Sequence, residues 1–343
     1  MFLWCPFCRN PHLLSERFCP ITGHAIGTTV TRKKSVEIGS LIQEKYLLQR
    51  RLGHGAFGVV YAAENIALGG QVALKFLGTQ SPDAALRFQQ EAKIANSLGH
   101  PNICRVYDSG ATKGGTPFFV MELLQGETLR SRMSRGPVDV GEVVGMMSQV
   151  LSALGAAHAK DVIHRDIKPE NIFLEERDGL DPLAKVLDFG LAKLAGSKAK
   201  LQTARGLALG TMTYMAPEQA LGHGVSARSD LFACAIVLYE AIAGGHPFHG
   251  ETDASIVARI LKDTPKPLSA VRPSSPAALD ELLSKALAKA PESRFGSARE
   301  FQAALHKVMG IVEPRPIPPR KAPTREGLPS LVDDDADPSS SSG

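Results

Sequence analysis

The hydrophobic period changes once along this chain, and that change restricts what it can fold into. Before Gly126, apolar residues alternate or run in short blocks, as in "YLLQRRLG", "GVVYAAEN", "QVALKFLG", "RVYDSGA" and "PFFVMEL", with Gly-rich stretches between them. Such runs fit strands bounded by turns, and "LGG" at residues 68–70 supplies a hairpin connection. After Gly126 the spacing becomes three and four residues, in "VGEVVGMMSQVLSALGAAHAKD", "SDLFACAIVLYEAIAG", "DASIVARILKD", "AALDELLSKALAKA" and "SAREFQAALHKVM". That is the period of helices with a buried face. One helix is expected inside the strand region, at "SPDAALRFQQEAKIANSLG", where Ser81 can cap it, Pro82 takes the first helical position and Gly99 ends it. Strands first and helices afterwards imply an α+β arrangement of two lobes with a cleft between them.

The 343 residues are 43% hydrophobic and 22% charged, a globular balance long enough for one main domain plus appendages. A net charge of +4 without a clustered Lys/Arg face argues against nucleic acid. "LFACAIVLYEAIAG", the longest strongly apolar stretch, is interrupted by Glu240 and reads as a buried helix, so no membrane span is expected. The start "MFLWCPFCRN" lacks the basic region, apolar stretch and cleavage site of a secretory signal, which makes the cytoplasm the expected location. Five cysteines, three of them near the start, fit reduced thiols and a metal site better than a disulfide framework.

Composition divides the chain into a Cys/Pro/His-rich segment over 1–26, a polar linker over 27–45, a periodic core over 46–312 and a tail over 313–343. The tail is Pro-rich and basic, then acidic and Ser-rich, with too few large apolar residues to order itself. In the first segment "CPFC" and "CPITGH" resemble a zinc ribbon whose second half is altered. Thr22 stands in place of a fourth cysteine, so Cys5, Cys8, Cys19 and His24 are the candidate zinc ligands, with His12 as a substitute. A segment this short has little core without a metal. Protein contact or sensing, not catalysis, is the expected use of this segment, and the Pro-rich tail is a second candidate for binding partners.

Within the core, "RLGHGAFGVVY" places Gly53, Gly55 and Gly58 between two strand-like runs, where bare backbone can approach phosphate oxygens. A helix after the glycines would suggest dinucleotide binding; here a strand follows. Lys75 lies in the apolar strand "VALKFL" and needs an anion, which Glu91 of the following helix can supply. In "VIHRDIKPENIFL", Asp166 could accept a proton from a hydroxyl, Lys168 could neutralise a transferred phosphoryl group, and Asn171 could ligate a divalent metal. Asp188 closes another apolar strand in "KVLDFGLAK", and two oxygen ligands at loop ends suit magnesium.

These anchors, in this order and with "APE" at residues 216–218, resemble the eukaryotic-type (Hanks-type) serine/threonine protein kinases of bacteria. The resemblance covers about 46–312. It implies a bilobal fold, with a small β-rich lobe carrying one helix and a large helical lobe. It also implies transfer of the ATP γ-phosphate to Ser/Thr hydroxyls of proteins, with Mg2+ or Mn2+. Asp166, Lys168 and Asn171 would be catalytic, and Asn171 and Asp188 would hold the metal. Leu52, Gly53, Gly55, Gly58, Val60, Ala73, Lys75, Met121, Glu122 and Leu124 would surround the nucleotide, Lys75 pairing with Glu91. Glu218 would pair with Arg294, Asp230 would hold the catalytic-loop backbone, and Thr211 would pack beside Asp166. Thr203, then Ser197, are the expected phosphoacceptors of the activation segment, read by Arg165. Glu127 and Glu170 hint at a basic peptide. The alternative is a pseudokinase scaffold, which loss of Lys75, Asp166, Asn171 or Asp188 would favour; all four are present.

Overall fold

The computed structural model describes residues 2–4, 11–13, 19, 21–22, 36–55, 58–77, 97–189 and 212–310. Near the start, β1 (Phe2–Trp4) and β2 (Pro11–Leu13) pair antiparallel. Cys19 is buried, and the Thr22 amide donates to its Sγ at 3.4 Å. Cys5, Cys8 and His24 lie outside the described residues, as does the tail from 311 onward.

A six-stranded antiparallel sheet forms the small lobe, in the order β3-β4-β5-β6-β8-β7. Its strands are β3 (Leu41–Ile42), β4 (Tyr46–Gly55), β5 (Gly58–Asn65), β6 (Gln71–Leu77), β7 (Val106–Ala111) and β8 (Pro117–Glu122). The β5–β6 hairpin turns where expected. Gly69 and Gly70 take φ of 76° and 90°, and Asn65 Oδ1 accepts the Ala67 and Leu68 amides at 3.2 Å each. Tyr46, Leu48, Val72, Leu74, Phe76, Phe118 and Val120 form this lobe's core, with the Phe76 and Phe118 rings 5.6 Å apart.

The expected linker over 27–45 ends earlier than its polarity suggested. Leu41 and Ile42 pair with Leu47 and Tyr46, and the Tyr61 hydroxyl donates to the Val36 carbonyl at 3.1 Å. Ile42 is an apolar side chain that the turn at Gln43 and Glu44 folds back onto the core. Of the helix expected over 81–99, only residues 97 to 99 are described: 97 and 98 are helical, and Gly99, at φ 53°, ends the helix as expected.

The large lobe begins with β9 (Gly126–Thr128), followed by α1 (Leu129–Met133), α2 (Val140–His158), β10 (Ile172–Arg177) and β11 (Leu180–Val186). It continues with α3 (Pro217–Ala220), α4 (Ala227–Ala243), α5 (Asp253–Lys262), α6 (Leu268–Val271), α7 (Ala278–Ala286) and α8 (Ala298–Val308). All five periodic stretches read from the sequence are helices. Every residue of α4 from Ser229 to Ile242 is buried, which is why that stretch is apolar all round. α2 is long and apolar enough to cross a membrane by length and composition, but it packs against α4, α8 and β11 as a core helix.

The small sheet β11-β10-β9 was not anticipated. Gly126 makes it possible: at φ 128° it faces Glu175 so closely that a Cβ there would lie 2.1 Å from the Leu174 carbonyl oxygen. Thr128, the last residue of β9, then caps α1 by accepting the Ser131 amide.

Candidate active site

A single buried carboxylate organises the loop after α2. Asp230, in the first turn of α4 and 1% exposed, accepts the His164 amide at 2.9 Å and the Arg165 amide at 2.8 Å. His158 Nε2 lies 2.8 Å from the same carboxylate. These partners satisfy a charge that would otherwise be costly to bury, and they fix Arg165 at φ 71°. The backbone-holding role expected for Asp230 is what the structure contains.

Asp166 follows directly. Its Oδ2 receives Lys168 Nζ at 2.8 Å and Asn171 Nδ2 at 3.0 Å, while Asn171 Nδ2 also donates to the Asp166 carbonyl at 2.8 Å. Both amide protons of Asn171 thus point at Asp166, so its Oδ1 is the end left for a cation. His164 Nδ1 accepts the Asp166 amide, which leaves the Nε2 proton to donate to the Leu187 carbonyl at 2.8 Å. That bond ties the catalytic loop to the strand end carrying Asp188. Phe189 completes the tie, its ring 4.7 Å from the His164 ring in an edge contact.

Asp188 sits at φ 59°, and its Oδ2 is paired with Lys75 Nζ. The lysine, 7% exposed on β6, therefore finds its anion across the cleft. Glu91, the partner expected for it, lies outside the described residues. Asn171 Oδ1 and the second Asp188 oxygen are hard donors that these bonds leave over, a donor type that would suit a divalent cation. Among the described residues no cluster of three or more His, Cys, Asp or Glu could hold a metal by itself.

The glycine stretch lies on the paired strands β4 and β5, with Gly53 facing Val60 and Gly55 facing Gly58. In register across the sheet, Val60 faces Lys75 and Ala73 faces Met121, so the expected nucleotide-lining positions share adjacent strands. Leu52 is exposed at the rim, and Leu124 is half-buried beyond β8. Glu122 does more than sequence reasoning gave it. Lys185 donates to both its oxygens at 2.8 Å, and the Arg105 amide donates at 2.7 Å, fastening the end of β8 to the hairpin below.

Glu218 and Arg294 pair as expected, through two 2.8 Å bonds, with Ser229 Oγ donating at 2.7 Å. Burial pushes the Glu218 carboxyl upward, but the bonds from Arg294 and Ser229 outweigh it and hold its pKa below the ordinary value. The positions 197, 203 and 211 of the activation segment lie outside the described residues. Arg165 Nε is buried without a hydrogen-bond partner among the described residues.

A second network, missed from the sequence, adjoins the catalytic loop. Arg130 donates through Nε to Glu170 at 2.8 Å and through Nη1 to Glu240 at 3.0 Å, and its Nη2 bonds the Tyr214 hydroxyl. Tyr214 donates onward to Glu240 at 2.5 Å. Burial pushes the Tyr214 hydroxyl well above its ordinary range, and the Glu240 charge adds to it. Glu127 is likewise occupied, bonded by both terminal nitrogens of Arg135.

Residues 46–308 match the family described as protein kinase domain. Among curated proteins, the chain is 44% identical over 264 residues to the serine/threonine-protein kinase Pkn1 of Myxococcus xanthus, covering 76% of this chain and 38% of that protein. It is 40% identical over 280 residues to pkn3 of the same organism, covering 79% and 51%. It is also 35% identical over 306 residues to PknA of Mycobacterium tuberculosis, covering 87% and 69%. The chain thus spans only about half, or less, of the first two relatives.

Proposed function

Because the chain belongs to the protein kinase family, we propose that it is a serine/threonine kinase transferring the γ-phosphoryl group of ATP to hydroxyls of protein substrates. The carrying observation is Asp166 held between Lys168 and Asn171, on a loop that His164 ties to the carbonyl preceding the Lys75-paired Asp188. Lys168 and Asn171 occupy Asp166 Oδ2, which leaves Oδ1 to take the substrate proton. As the hydroxyl oxygen bonds to the γ-phosphorus, its proton passes to Asp166, and the bond to the β–γ bridging oxygen breaks to release ADP. Lys75 and Lys168 offset phosphate charge, and Asn171 and Asp188 would hold a divalent cation beside it. The divalent cation supplies charge neutralisation at the phosphoryl oxygens. The test is transfer of label from ATP by the chain and by Asp166→Asn. A fall of about 10²–10⁴-fold is expected, and equal labelling overturns the reading.

Two finer proposals concern regulation and metal. Phosphate on Thr203, or failing that Ser197, is taken up by Arg165; the support is that guanidinium's unpartnered buried Nε beside Asp166. Mapping the label should place it on Thr203, and full activity of an unphosphorylated chain removes the proposal. Cys5, Cys8, Cys19 and His24 hold one structural zinc, supported by the amide-to-sulfur bond at Cys19, a contact that favours a thiolate ligand. Metal analysis should give about one zinc per chain, lost in Cys19→Ser; zinc-free protein dismisses it.

A further inference from the structure

Lysines that the fold draws in from solvent are normally met by a carboxylate. Among the described residues Lys45, Lys75, Lys168 and Lys185 are buried or half-buried, and each is paired with an aspartate or glutamate. Lys289, half-buried just after α7, makes no ion pair among the described residues. Its Nζ instead donates to the Ile260 carbonyl in the last turn of α5 at 2.6 Å, and it lies 4.2 Å from the centre of the Phe248 ring. The Arg294 guanidinium, bonded to the Lys289 carbonyl at 2.8 Å, adds a like charge. Burial and Arg294 oppose the ammonium, while Asp263 at the end of α5 and the Phe248 face favour it. Burial prevails, and the pKa falls to about 8.

The same residue lines an open groove of about 780 Å³ between α7 and the chain leading into α6. Pro265, Leu268 and Leu287 give the groove an apolar wall, and Lys266 brings an exposed ammonium to it. Of the other charged groups there, Asp280 is taken up by the Ser269 amide and hydroxyl, Lys285 is bonded to Glu300, and Glu281 is exposed. Tyr239 of α4 also lines it, 4% exposed, and its hydroxyl has no hydrogen-bond partner among the described residues. The groove therefore holds an amine, a spare hydroxyl donor and a cation beside apolar surface. A desolvated lysine next to another cation is an activated nucleophile, because its neutral form keeps an N–H for Ile260 and frees a lone pair. We propose that Lys289 is an acylation site, taking its acyl group from a small acyl phosphate that enters this groove with its phosphate towards Lys266. The lone pair on Nζ attacks the acyl carbon and forms the C–N bond. The bond from that carbon to the phosphate oxygen breaks, inorganic phosphate leaves with the electron pair, and the surplus proton on nitrogen passes to water. The resulting amide still has an N–H for the Ile260 carbonyl, so the bond to α5 is kept while the charge beside Arg294 is lost. The site shares no residue with the catalytic loop and does not depend on the kinase reading.

The probe is acetyl phosphate, added to the full chain at a series of pH values from about 7 to about 9.5, with acetyl-lysines located by peptide mass spectrometry. At about pH 7.5, Lys289 should be acetylated roughly tenfold faster than the exposed Lys262 and Lys307. Its rate should level off above about 8 while theirs still climb. In denaturant the preference should vanish. Lys266→Gln should slow acetyl phosphate at Lys289 by about threefold and leave the neutral reagent N-acetylimidazole unaffected. Acetylation of Lys289 no faster than that of Lys262 and Lys307 overturns the proposal, as does a preference that survives denaturation. A Lys289 that reacts with N-acetylimidazole but is passed over by acetyl phosphate also overturns it, because the amine would then be activated without a site for the acyl phosphate. An acetyl phosphate rate untouched by Lys266→Gln overturns the assigned place of the phosphate.

Discussion

Two kinds of carboxylate surround the catalytic loop, and they are satisfied to different degrees. Asp230 and Glu218 are buried and fully engaged by amides, a histidine, a hydroxyl and a guanidinium. Asp166 and Asp188 face the cleft, and each has one oxygen engaged by a lysine of the protein and another left over. The first pair fixes where backbone lies; the second keeps unused bonding capacity at the cleft, which the proposed function assigns to a substrate proton and a cation. Removing a partner should therefore cost stability at the first pair and activity at the second.

The sharpest way to break this division is Arg294→Met. It leaves Glu218 buried without its cation, and a loss of about 3–5 kcal/mol in denaturant unfolding is expected. Its pH dependence carries a sign. In the unaltered chain Glu218 is held below 4.5, so the unfolded state takes up the proton first and stability falls as pH drops below that value. In Arg294→Met the uncompensated burial raises the folded pKa, so the deficit should grow as pH rises past 4.5. A deficit independent of pH would detach Glu218 from the effect.

Asp230→Asn comes next. One amide oxygen must then serve where two carboxylate oxygens did, and about 1–3 kcal/mol should be lost along with ordering of Arg165 and Asp166. Here stability and kcat should fall together, whereas a kcat loss without any stability loss would move Asp230 into the chemical group. Lys75→Met should do the reverse of Arg294→Met: phosphoryl transfer drops by about a hundredfold or more while the unfolding midpoint moves by no more than about 1 kcal/mol. A large stability loss would place the Lys75–Asp188 pair with the framework. Smallest of all, Arg135→Ala removes an exposed pair with Glu127, worth roughly 0.2–1 kcal/mol, and calorimetry should barely register it.

The same division explains what could be read from the sequence. Helices such as Ala227–Ala243 and strands such as Gln71–Leu77 announce themselves by period, and the groups at Lys75, Asp166, Asn171 and Asp188 by motif. β9 has three residues and β3 has two, too few for any period to register. The Arg130–Glu240 bond joins residues 110 positions apart and the Lys185–Glu122 bond joins residues 63 apart. Charged side chains at such separations carry no spacing rule, and of the distant arginine–glutamate pairs only Glu218–Arg294, 76 positions apart, was named beforehand, by the family resemblance. The pairing of Glu127 and Glu170 with internal arginines was not legible for that reason.

Gly126 contributes no side chain, yet a Cβ there would lie only 2.1 Å from a backbone oxygen. A single methyl group there would wedge β9 away from β10 at the Leu174 carbonyl. β10 begins at Ile172, the residue after Asn171, and β9 ends at Thr128, which caps the helix bearing Arg130. One lost hydrogen-bonded rung would therefore misalign the Asn171 amide on one side and the Arg130 guanidinium on the other. Tolerance to mutation in this cleft is set as much by an absent side chain as by the charged ones.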